Sequence, residues 1–312
     1  MGQALHHVVA KSTAMGWCCG LTYARAAFDN LPRLPSWVTS ARAETPEDVA
    51  FLSGAVLSHL HLVLGHDEVP QTLLRARLAL RAAEACVTHQ GRPERTAELR
   101  DAVGFLQPDD SPGPAGELYL SWRRGVERPV SVSTLYRALP ALDPEVIATW
   151  LDMGQGAPIA HAASVLQAFL EDRPRDQAAA LLLAEAALAQ ALGWSHVLPL
   201  LALGLKRGDL RKTGEDLHLT CHRAIVTAAV DVTRVASDLS RWSARLRAIA
   251  PKLRAKGSED AVTLFLSRDA VAPAALTSLR SDRAARRFCD RLVELGVVRE
   301  LTGRDTFRLY GI

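Results

Sequence analysis

Twice in this chain a capping side chain, a proline and an acid follow one another directly: Thr45-Pro46-Glu47 and Asp143-Pro144-Glu145. Thr and Asp accept from the unpartnered N–H groups of a first helical turn, and proline fits a position that needs no N–H. The acid complements the positive helix end. Stop signals answer them. Gly91, Gly154, Gly193 and Gly296 each follow a run of helix formers, and glycine takes the left-handed turn that ends a helix without steric cost. Between these signals Ala, Leu and Arg dominate, β-branched residues rarely cluster, and Asn30 is the single asparagine. Such a chain favours helix and disfavours an all-β fold or a doubly wound parallel sheet. The expected fold is mainly α: an irregular multi-helix domain followed by a C-terminal winged helix-turn-helix with a small β-hairpin.

Three regions are expected. Residues 1–36 read as a weakly ordered or accessory N-terminal extension, because 1–31 carry no clear period and lead into Leu31-Pro-Arg-Leu-Pro35. Residues 37–256 read as the helical domain. Its helices begin at Thr45, at Pro70 (running to Gly91), at Pro93, at Pro144, at Pro174 (running to Leu192) and at Glu215. The last carries Leu217, Cys221, Ala224, Ala228, Val232, Val235 and Leu239 at helical spacing and is ended by Pro251. Asp109–Gly116 is expected to be a turn-rich loop. No fixed repeat period recurs.

Residues 257–312 read as the winged-helix module. Ser258 caps a helix to Leu266, Pro273 opens a second over 272–279, and Ser281 caps a third to Leu295. Val297–Leu301 and Thr306–Tyr310 then alternate across a turn at Thr302-Gly-Arg-Asp305, as a hairpin does.

The charge is divided along the chain. Residues 241–312 hold 15 Lys+Arg and 8 Asp+Glu, whereas the first 240 hold 22 and 26. An acidic body with a basic tail end points to an anionic partner, nucleic acid first. In the third helix of the module, Ala285, Phe288, Cys289 and Leu292 form one apolar stripe. Arg283 and Arg287 fall opposite, with Arg286 and Arg291 at the flanks, the division a recognition helix in a major groove needs. Arg280, Arg304 at the hairpin tip and Arg308 on its second strand complete the expected DNA-binding set. Arginine suits it, reading guanine or holding phosphate with a planar fork. The alternative is a solvated Arg/Glu face that binds a protein partner, since Asp282, Asp290, Glu294, Glu300 and Asp305 dilute the field. A second basic stretch, Arg241 to Lys256, extends a phosphate-binding surface or forms a solvated helix face.

Signals for chemistry are weaker. His218 and His222 share a helical face next to Cys221, as zinc ligands would, but no third ligand stands at a telling distance. A structural cysteine with two hydrogen-bonded histidines is the expectation, and a helical enzyme using these three residues is the least favoured reading. His59, His61 and His66 read as ordinary surface or helix-end residues. Trp194, His196 and Pro199 make a corner expected to pack between helices, with a ligand pocket as the alternative. Gly204–Thr213 fails as a phosphate loop because Arg211 stands where glycine belongs. No catalytic group, cofactor or metal is expected. Five cysteines without CxxC spacing suit a reducing cytosol. The most apolar stretches, Ala178–Leu192 and Val197–Leu205, are short for a membrane span, and Val8–Phe28 carries Lys11 and Arg25 and fails as a signal peptide. A cytoplasmic protein with no membrane partner is expected, with duplex DNA, a protein partner or a second copy as company.

Several stretches carry a resemblance: Asp110-Ser-Pro-Gly-Pro-Ala-Gly116, Leu192-Gly-Trp-Ser-His196 through Ala202, Pro251–Gly257, Ser281–Arg287 and Leu301–Gly311. Over residues 32–312 the chain resembles a bacterial domain-of-unknown-function family, number fourteen hundred and three. Its ending is also similar to the winged-helix tails of some bacterial Fic-like proteins. The family resemblance implies a bacterial protein, often associated with plasmids or other mobile regions, and assigns no activity. Together these readings give an expected non-enzymatic DNA-binding protein, a regulator or mobile-element factor. The alternative is a helical interaction or scaffold protein.

Overall fold

The computed structural model describes residues 31–312 except 41–42, 108 and 154–155. The N-terminal extension up to residue 30, with Cys18 and Cys19, and the helix stop at Gly154 lie outside the described residues. Thirteen α-helices are described: α1 (Ser36–Ser40), α2 (Pro46–Leu64), α3 (Gln71–His89), α4 (Thr96–Gly104), α5 (Gly113–Glu127), α6 (Val132–Ala138), α7 (Pro144–Asp152), α8 (Pro158–Asp172), α9 (Gln177–Ala191), α10 (Leu200–Gly204), α11 (Gly214–Ile249), α12 (Ser258–Phe265) and α13 (Asp282–Glu294). Two short antiparallel strands follow, β1 (Arg299–Glu300) and β2 (Tyr310–Gly311), with Arg299 opposite Gly311 and Glu300 opposite Tyr310. The chain is mainly helical with a small two-stranded sheet near its C-terminus.

The centre of the body is α9. Every residue from Ala179 to Ala189 is buried, and a helix apolar all round belongs inside a bundle. It packs on α8 and also meets α5, α7 and α10. The 36-residue α11 runs along α2, α8 and α10 and buries Leu217, Cys221, Ile225, Val232, Leu239 and Leu246. Gly204 lets α10 lie directly on α11, since a Cβ there would stand 2.3 Å from the Ala224 carbonyl oxygen. At Gly257, with φ of 85°, a Cβ would stand 2.2 Å from the Ser278 carbonyl oxygen.

Local signals act as expected at several ends. The Thr45 hydroxyl accepts from Asp48 N–H at 3.1 Å while the Asp48 carboxylate accepts from Thr45 N–H at 3.0 Å, a reciprocal cap. Ser131 and Ser281 cap α6 and α13. Gly91, Gly193 and Gly296 take positive φ after α3, α9 and α13.

Five expectations need correction, the first being the helix expected from Pro174, which starts at Gln177 behind an Asp176 side chain that accepts from Ala179 N–H. The helix after Pro93 starts at Thr96, because Arg92 and Glu94 pair in the connecting turn and the Glu98 carboxylate accepts from Arg95 N–H. Asp109–Gly116 is not all loop: α5 begins at Gly113. Residues 272–279 form no α-helix but a single 3₁₀ turn, Pro273–Ala275, because the preceding Val271 is held extended by a pair of hydrogen bonds with Tyr310, at 2.8 and 2.9 Å. The hairpin strands are two residues each, because the turn is long. Glu300 folds back to accept from the N–H groups of Thr302 and Gly303, both at 2.7 Å.

By length and composition, α2 is the one described helix long and apolar enough to cross a membrane, a feature the sequence reading passed over. In the fold it buries Val49, Leu52, Val56, Leu60 and Val63 and leaves Phe51 and Leu62 exposed. Trp37 of α1 stacks on Phe51 with ring centroids 5.5 Å apart.

Candidate nucleic-acid interface

The helix α13 is oriented by its apolar stripe. Ala285, Phe288, Cys289 and Leu292 are all buried, and the polar residues between them therefore face outward. Arg283, Arg286, Arg287, Asp290, Arg291 and Glu294 are exposed, as is Arg280 just before the cap. Among the described residues no carboxylate pairs with Arg280, Arg283, Arg286 or Arg287.

The other three expected site residues are engaged. Arg291 pairs with Glu294 one turn along, at 3.0 Å. Arg304 donates to Asp101 of α4 at 2.7 Å and lies 5.4 Å from the Phe105 ring centroid. Arg308 faces Asp305 at 3.3 Å and Asp290 at 3.9 Å, and its Nε donates to the Arg304 carbonyl. The structure thus leaves four guanidinium groups unpaired at α13 and commits the loop between β1 and β2 to contacts with the body.

Those contacts are extensive. Phe307 meets Phe105 edge to face at 5.7 Å. Arg299 of β1 and Arg245 of α11 both stand over the Trp242 ring, at 4.6 and 4.9 Å. Asp269, whose side chain is 1% exposed, accepts from Arg77 of α3 and from Arg100 of α4, the latter at 2.6 Å from Nε. Arg77 also donates to the Ile312 carbonyl at 2.9 Å. Of the second basic stretch, Arg241 pairs with Asp238, whereas Arg247, Lys252, Arg254 and Lys256 are exposed.

Of the histidine and cysteine candidates Cys221 belongs to the core, whereas His218 and His222 are half-buried. Cys221 is buried, and burial pushes its thiol up to about 12. His222 Nδ1 lies 2.7 Å from Ser53 Oγ, and Ser53 also donates to the Ala50 carbonyl at 2.8 Å. Burial first, and His218 second, hold the His222 imidazole below its ordinary range, so it meets Ser53 as a neutral ring. Ser53 is fully buried, and the pair works as a pin between α2 and α11. His59 corrects the surface reading: it is buried, its Nε2 has no partner among the described residues, and burial lowers its pKa. His66 accepts from Glu68 N–H as a helix-end residue does.

The Trp194 corner does more than pack. Trp194 Nε1 donates to His61 Nδ1 at 3.0 Å, the Ser195 carbonyl accepts from Val130 N–H at 2.8 Å, and a cavity of about 430 Å³ opens beside His61, Arg75 and His196. Sequence reasoning missed Asp269, Tyr119 and Glu185. Of the three only Glu185 carries a signal in the sequence, as the lone carboxylate within the apolar run Gln177–Ala191. Its Oε1 accepts from Ala202 N–H at 2.9 Å, capping α10 from inside the core.

A family model described as protein of unknown function (DUF1403) matches residues 23–312. Comparison with the curated proteins gives no match.

Proposed function

We propose that the chain, which belongs to the DUF1403 family, is a cytoplasmic, non-enzymatic DNA-binding protein of bacterial type that docks on duplex DNA through a C-terminal winged helix. The observation that carries this reading is the face of α13, where Arg280, Arg283, Arg286 and Arg287 are exposed and unpaired opposite a buried stripe. Chain order supports it as well. The helix α12, the extended Val271, the Pro273 turn, α13 and the β1–β2 pair follow in sequence, and Val271 adds to Tyr310 as a third extended segment on the small sheet. In this reading α13 is the recognition helix, presenting its basic N-terminal half to the major groove.

The test is anisotropy of a labelled random-sequence duplex across a salt series. Four phosphate contacts give a slope of log K against log salt of about −3 to −4. Absence of salt-sensitive retention at low ionic strength overturns the reading.

The same face serves a protein partner in the second reading, which the exposed Trp37–Phe51 stack favours by offering an apolar patch of its own. Arginine-to-alanine changes on α13 that break a co-purifying complex and leave DNA retention intact would select it.

A further inference from the structure

A recess of about 270 Å³ lies between α4 and α5 of the body and the segment that follows α12. Arg100, Arg123 and Arg268 line it together with Glu127, Asp269 and Tyr119. Its charge is not balanced at the wall. The Asp269 carboxylate is shared between Arg77 and Arg100 and is spent on them. Arg123 and Arg268 reach the recess with no carboxylate partner among the described residues, and Glu127, one turn from Arg123 on α5, forms no ion pair with it.

Tyr119 gives the second indication. The residue is 6% exposed and lines the recess, yet its hydroxyl has no hydrogen-bond partner among the described residues. The ring is buried while the hydroxyl oxygen opens on the recess. Burial pushes the phenol up to about 12, so it keeps its proton and acts as a donor. Two exposed guanidinium forks without a carboxylate partner among the described residues and one O–H donor line the same small polar recess, outweighing Glu127 there, a lining suited to an oxyanion. The volume holds several water molecules' worth of ligand, enough for a phosphate group with a small organic remainder and too little for a duplex.

We propose that this recess binds a small phosphorylated metabolite through Arg123, Arg268 and the Tyr119 hydroxyl, with Arg100 held in place by Asp269. Bound there, the anion bridges the helical body and the segment leading to α13, so its occupancy is felt at the C-terminal end of the chain. The inference goes beyond DNA binding and does not need it: a chain that retained no duplex would still take phosphate at this position.

The probe is inorganic phosphate, titrated against the full chain by calorimetry at constant ionic strength with chloride as the control. Saturable phosphate binding is expected, accompanied by slower amide hydrogen exchange over residues 268–276. Tyr119→Phe removes only an oxygen that has no protein partner among the described residues, so the variant folds, and its phosphate affinity should fall about tenfold. Arg123→Gln should lose at least as much. Arg283→Gln/Arg287→Gln, on the outer face of α13, should bind phosphate as the parent does while holding DNA more weakly and with a shallower salt slope, which separates failure of one proposal from failure of the other. No saturable binding, or binding unchanged in both Tyr119→Phe and Arg123→Gln, overturns the proposal. So does phosphate binding that vanishes in the α13 double variant, because the anion would then sit on the outer arginines.

Discussion

Arg304 Nη2 donates to Asp101 Oδ1 at 2.7 Å, across 203 positions of sequence, and so ties the loop between β1 and β2 to α4. A guanidinium in an ion pair with a body helix, lying over Phe105, must give up both contacts before it can meet a DNA phosphate. Arg283 and Arg287 carry no such debt. The expected outcome is that Arg304→Ala leaves the salt slope of DNA binding nearly unchanged, while Arg283→Ala/Arg287→Ala makes it shallower by about 2. Anisotropy titrations at several salt concentrations check both, and equal loss in the two variants would contradict the assignment of α13 as the contacting element.

Asp269 joins the C-terminal segment to α3 and α4 through Arg77 and Arg100. Its side chain is almost wholly buried, so Asp269→Ala strands two guanidinium groups facing each other without a counter-charge. Removing one partner of a buried pair costs about 3–5 kcal/mol. The two arginines are partly reached by solvent, which places the expected loss toward the lower end, about 2–4 kcal/mol. Urea denaturation of the variant measures it, and a change within about 0.5 kcal/mol, the range of ordinary surface substitutions, would show that the joint does not depend on this carboxylate.

Glu185 predicts a pH dependence of unusual sign for an acid. Burial raises its carboxyl from an ordinary 4.5 to about 8, although the N–H groups of Leu200, Leu201 and Ala202 pull it back down. Between those values the folded chain keeps the proton and the unfolded chain has lost it. This group's contribution to stability therefore falls as pH rises from about 4.5 to about 8, then levels off. Glu185→Gln keeps an acceptor for Ala202 N–H and has nothing to ionise. The variant should flatten the stability profile in that window and exceed the parent at pH 8 by up to a few kcal/mol. Urea midpoints at pH 5, 6.5 and 8 decide the matter, and parallel profiles would rule the carboxyl out as their cause.

Cys86, Cys221 and Cys289 are buried, and burial pushes all three thiols up to about 12. Cys86 in addition accepts from Trp122 Nε1 at 3.3 Å. The thiolate is the reactive form, so these three should resist iodoacetamide in the native protein and be modified only in denaturant. Peptide mass spectrometry after a timed pulse reads this directly, and native labelling at Cys221 would reopen the His218–Cys221–His222 reading.

Much of the fold was legible because helix ends are decided by neighbours three or four residues apart. The Thr45 and Ser281 caps and the left-handed turns at Gly193 and Gly296 are contacts of this range. The stripe Ala285, Phe288, Cys289 and Leu292 was legible for the same reason, since helical geometry alone places those four on one face. The Pro273 helix failed where a distant partner intervened: Tyr310 pairs with Val271 and holds the chain extended just where helix was expected.

What the sequence determined by itself is where several helices are capped and stopped and which face of α13 turns inward, because those outcomes follow from local backbone chemistry and the period of apolar residues. Only the tertiary structure decided which charges are neutralised. Arginines alike in sequence end up differently, Arg304 against Asp101, Arg100 against Asp269, Arg283 and Arg287 unpaired. An ion pair needs its two groups within a few ångströms, and packing sets that distance between residues far apart in the chain.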